Sequence, residues 1–122
     1  MSELLFVYNA DSGLGNALLD TLHKTLAPAT YSCSLCAVTY GAVSMRPEWR
    51  AFLKNLPART SFLHRNELRQ HYPALASEAL PAIFWREAEP TPWQVFLSAQ
   101  QLRQLDLPEL MQLIRERLPT GR

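Results

Sequence analysis

The chain has little of what most readily betrays a function. It contains no apolar run approaching the roughly 18 residues that a membrane-crossing helix needs, which excludes a helical span. Charge of one sign is also missing: twelve Lys and Arg stand against eleven Asp and Glu, a formal net charge of +1. Neither a nucleic-acid backbone nor an anionic membrane surface is therefore an expected partner. Cysteine is scarce, two in 122 residues, too few for a disulfide-stapled secreted scaffold. The common catalytic strings are absent as well, with no Gly-x-Ser-x-Gly, no His-Glu-x-x-His and no kinase set. No Lys precedes Lys24, and no Gly-x-x-x-x-Gly-Lys-Ser/Thr loop stands ready to hold β and γ phosphates.

What remains is the composition of a folded domain, 48% hydrophobic and 19% charged, with a length that suits a single domain over residues 1–122. Met1 to Tyr8 carries no basic leader and a short apolar run, so it reads as a strand rather than a secretory signal, and a cytoplasmic setting is expected. In that setting two thiols favour a redox, metal or packing role over a structural disulfide.

The apolar run Leu4 to Tyr8 has strand length and no alternation, the pattern of a central strand covered on both faces. Leu14, Ala17, Leu18, Leu22 and Leu26 follow at helical spacing, with Asp11 or Ser12 able to cap the helix and Asp20 and Lys24 paired on its wet side. Ala29 to Ser44 has no clean period and is expected to be irregular, with about one helical turn. Pro47, Trp49, Phe52, Leu53 and Leu56 restore a helical face. Thr60 to His64 is β-prone, and Asn66 is the expected cap of a brief helix ending by Tyr72, because Pro73 disfavours the helical conformation in the residue before it. Ala82 to Trp85 and Gln94 to Leu97 make a hairpin around Arg86 to Pro92, with Trp85 and Trp93 packing at its flanks. Ser98 with Gln101, and Asp106 with Pro108 and Glu109, announce two helix starts; the second helix carries Leu107, Leu110, Met111, Ile114 and Leu118. The first strand should pair in parallel with the second, and the hairpin should extend the same sheet antiparallel.

A buried first strand leading into a helix, then Leu80-Pro81-Ala82-Ile83-Phe84 entering a hairpin, then a terminal helix, resembles the thioredoxin-like fold. The resemblance implies an α/β three-layer sandwich, a mixed sheet of about four strands with helices on both faces. It also implies that Pro81 faces the active-site turn, where the family has a cis X-Pro bond. The strings Tyr8-Asn9-Ala10-Asp11-Ser12-Gly13-Leu14, Cys33-Ser34-Leu35-Cys36 and Thr39-Tyr40-Gly41 are further similar to a group of small bacterial proteins with no assigned mechanism. The family's Cys-x-x-Cys stands in the turn after the first active-site strand. Here that turn has no cysteine and the pair lies farther along the chain, so the family's catalytic roles do not transfer by position.

Cys33 and Cys36 are the candidate catalytic residues. Two thiols three residues apart meet in a turn or at a helix start, where the helix N-terminus stabilises a thiolate. Three readings stand. The first is a thiol-disulfide redox or redox-sensing module that uses no cofactor and acts on a protein or small-molecule thiol partner. The second is a zinc-type metal site, in which His23 and His64 complete a four-ligand set with Cys33 and Cys36. The third is a partner-binding module with buried, inert cysteines. A turn that follows a strand and precedes a helix can also receive a ligand or partner, which adds Asn9, Asp11, Ser12, Gly13 and Pro81 to the candidate residues. Asp11, Asp20 and Glu67 read as solvated carboxylates.

Overall fold

The computed structural model describes residues 2–9, 34–39 and 45–118, with Ser34, Cys36 and Ala37 described by their backbone alone. The helix expected over Leu14 to Leu26 lies outside the described residues.

Strand β1 (Ser2–Val7) is the centre of the structure. Successive side chains of a strand point to opposite faces, so an uninterrupted apolar run must be buried on both. That is the outcome: Leu4, Leu5, Phe6 and Val7 are all sealed from solvent. β1 pairs in parallel with β2 (Ala58–Leu63), from Ser2 opposite Ala58 to Val7 opposite Leu63. On its other side it pairs antiparallel with β3 (Ala82–Arg86), from Glu3 opposite Arg86 to Val7 opposite Ala82. β4 (Gln94–Leu97) completes the hairpin and the mixed four-stranded sheet of order β2-β1-β3-β4, with a one-residue register shift between Ile83 and Phe84. The Leu80–Pro81 peptide leading into β3 is cis, as is Glu89–Pro90 in the hairpin loop.

The even positions of β1 feed one apolar cluster and the odd positions another. Leu4, Phe6 and Tyr8 join Ile83 and Leu97 beneath four helices: α1 (Ser34–Thr39), α2 (Pro47–Lys54), α4 (Ala99–Leu102) and α5 (Leu107–Arg117). Leu35, Trp49, Phe52, Leu102, Leu110 and Ile114 are their buried contributions. Leu5 and Val7 join Ala82 and Phe84 on the opposite face, where α3 (Arg65–His71) inserts Leu68. Tyr72 and Leu75, the latter in a 3₁₀ turn over Pro73–Leu75, pack beside it. The described helices thus lie on both faces of the sheet. Rings fill much of the larger cluster: Phe6 stacks on Phe62 with centroids 4.8 Å apart and meets Trp49 edge-on at 5.6 Å. Each such side chain contributes about 1.5–3 kcal/mol through burial.

Polar groups secure the ends of elements. The two expected capping boxes form: Ser98 and Gln101 exchange hydrogen bonds at the start of α4, and Asp106 and Glu109 do the same at α5, both at 2.9 Å in the second case. α2 begins at Pro47, whose missing N–H costs nothing in a first helical turn. Trp49 and Phe52 turn fully inward, whereas Leu53 and Leu56 are only partly covered. The segment expected to be irregular holds α1, whose Thr39 hydroxyl donates to the Leu35 carbonyl at 2.7 Å.

The hairpin loop is clasped to the sheet by one side chain. Arg86 donates to Glu3 Oε1 from Nε at 3.2 Å and from Nη2 at 3.0 Å, across the β1–β3 register. Its guanidinium carbon also lies 4.2 Å from the centre of the Trp93 ring, and Trp93 meets Tyr72 edge-on. With Arg86 and Glu3 side chains only 11% and 19% exposed, solvent weakens this pair far less than a surface pair. Arg86→Ala removes the ion pair and the ring contact together and should lower unfolding free energy by about 2–3 kcal/mol. A urea titration showing under about 0.5 kcal/mol would place the clasp among inert surface contacts. Asp106→Ala should cost about 1 kcal/mol by the same assay, with the loss confined to the α5 cap.

Candidate functional site at one edge of the sheet

The register brings dispersed residues to a common edge. Because β1 and β2 are parallel, their carboxyl ends coincide, with Val7 opposite Leu63; because β3 is antiparallel, its first residue Ala82 stands opposite Val7 too. Tyr8 and Asn9, His64 and Arg65, and Pro81 therefore leave the sheet side by side. Such crevices outside the carboxyl ends of strands are where α/β sheets commonly bind ligands. The main-chain ladder runs one residue past β1, since the Tyr8 N–H donates to the Leu63 carbonyl at 3.0 Å.

Each group at this edge has a definite placement. Asn9 accepts from Arg65 Nη1 at 3.4 Å through its side-chain oxygen, which ties the turn after β1 to the first residue of α3. Pro81 is buried. The Tyr8 ring, almost wholly buried, lies 5.7 Å from the His64 ring. His64 has extended backbone and caps α3. Glu67, three residues on, accepts from the His64 N–H at 2.8 Å and stands 3.0 Å from His64 Nδ1, both through Oε1. A carboxylate only accepts, so in the tautomer that carries its proton on Nδ1 the ring donates to Glu67 and keeps Nε2 as its accepting nitrogen.

Two readings of this region are corrected. Asn66 is the second residue of α3 and not its cap, because β2 keeps the chain extended through Leu63 and His64, so that Arg65 is the first helical residue. Glu67 is not merely a solvated carboxylate, since it closes the helix start. The signal was present as His64-x-x-Glu67, the spacing of a capping box, but histidine is a rare first member of that pair.

Of the remaining candidates, Asp11, Ser12, Gly13, His23 and Cys33 lie outside the described residues. Cys36 is the third residue of α1. Its neighbour Leu35 is buried in the same cluster as Tyr8 and Leu97, so the Cys36 backbone belongs to the larger-cluster face. α1 packs against α4, the helix that leaves the end of β4, and is tied to the chain before α2 by Arg46, which donates through Nε to the Val38 carbonyl at 3.0 Å. Among the described residues no group of three or more His, Cys, Asp or Glu is arranged to hold a metal; of the zinc-type set only His64 has a described side chain. No described helix is long and apolar enough to cross a membrane.

The His64 N–H donated into its carboxylate is the main reason that Glu67 sits below its ordinary value of 4.5; the His64 ring adds to the effect and desolvation opposes it. A carboxyl with a lowered folded-state pKa stabilises the fold above its unfolded value and loses that contribution as pH falls through the lowered one. Glu67→Ala should therefore cost about 1 kcal/mol at pH 7, and the gap from the unaltered protein should close as pH drops from about 4.5 towards 3. Urea titrations of both proteins at pH 7 and pH 3 check this, and a gap equal at both values would sink the assignment.

Comparison of the chain with models of known families, with curated proteins and with solved structures finds no significant match.

Proposed function

We propose that the chain is a thioredoxin-like dithiol module in which Cys33 and Cys36 cycle between the reduced pair and an intramolecular disulfide, in exchange with a protein or small-molecule disulfide partner. The observation that carries the reading is register. Cys36 is the third residue of α1, and Cys33 is the residue immediately before Ser34, its first. Thiols three residues apart in the sequence can be joined by a disulfide within a turn, and where such a pair opens a helix the free N–H groups of the first turn favour the thiolate. The mixed sheet, with its parallel first pair and antiparallel hairpin, supports the thioredoxin-like part of the proposal.

The exchange balances without a cofactor. One thiolate attacks a partner disulfide, forms a mixed disulfide and releases one partner thiol; the second thiolate then attacks the chain's own sulfur, closes the Cys33–Cys36 bond and releases the other. The two electrons and two protons lost by the pair are those gained by the partner.

Incubation of the reduced, folded protein with oxidised glutathione should lower its mass by about 2 Da, the loss of two hydrogens, and Cys36→Ser should instead stop at a mixed disulfide. Wild-type protein that keeps both thiols, or that accumulates only the mixed disulfide, would falsify the dithiol reading.

One observation favours a second reading, a zinc-type site from Cys33, Cys36, His23 and His64. A histidine that donates Nδ1–H to a carboxylate and keeps Nε2 to accept is the usual outer-shell arrangement of a metal-binding imidazole, and the 3.0 Å separation of His64 Nδ1 from Glu67 Oε1 fits it in the Nδ1–H tautomer. Protein purified without chelator should then carry about one equivalent of zinc by elemental analysis, and less than about a tenth of an equivalent would end that alternative.

A further inference from the structure

We draw no further inference here: the strongest candidate, the cleft of about 630 Å³ between α2 and α5 floored by Phe52, Leu56, Met111 and Leu118, carries one lip charge of each sign, Glu48 and Arg115, and nothing in the structure shows what covers it.

Discussion

The burial of β1 on both faces is the constraint from which the rest of the structure follows. Leu4 and Phe6 must be covered from one side and Leu5 and Val7 from the other, so neither a bare sheet nor a two-layer arrangement can satisfy the strand. A slip of one residue against β2 or β3 would exchange the two sets and drive each into the other's cluster. The pairing of Val7 with both Leu63 and Ala82 is therefore tightly specified. Everything at the candidate site inherits its position from that pairing, because Asn9, His64 and Pro81 lie only one or two residues beyond it.

Outside the core, a few polar contacts decide how the connections leave the sheet. Arg86 illustrates how a charge becomes structural: the cross-strand carboxylate of Glu3 satisfies it and the Trp93 ring covers it, while Trp93 itself packs against the smaller cluster, so the hairpin loop is held there by both. Among the described residues β2 stands at the edge of the sheet, and it is treated differently. Arg59 and Ser61 alternate outwards from this strand, and exposed polar side chains on an edge discourage pairing with a further strand.

Legibility in the sequence tracks how local each signal is. The β1 run, the hairpin strands and the Asp106 and Ser98 helix starts each rest on residues within a few positions of one another, and all appear in the structure close to their expected bounds. The beginning of β2 was obscure because Ala58 and Arg59 have no strand signal of their own; pairing with Ser2 and Glu3 recruits them. Leu53 and Leu56 read as core by their spacing, yet both are only partly covered, and Leu56, just past the end of α2, borders the cleft with α5, a matter of how two helices diverge and not of either helix's pattern. The register shift beside Ile83 has no counterpart in the residue string either. At the candidate edge, Asn9 and Pro81 were legible because a turn after a first strand and a proline before a later one are local marks. Glu67 was not, since its role appears only once β2 fixes where α3 begins.

The way the edge is built bears on which groups are left to react. Glu67 is committed to the His64 N–H and to the ring, Asn9 to Arg65, and Pro81 has no donor to give. These contacts position elements first, so the carboxylate and the amide act here as structure. Thiols differ in that a pair at the right spacing needs no third side chain to exchange electrons with a disulfide; it needs a helix start to favour the thiolate and enough rigidity to keep the spacing. In α1 the rigidity is visible: Leu35 is fixed in the larger cluster, and the Thr39 hydroxyl is bonded back to the Leu35 carbonyl.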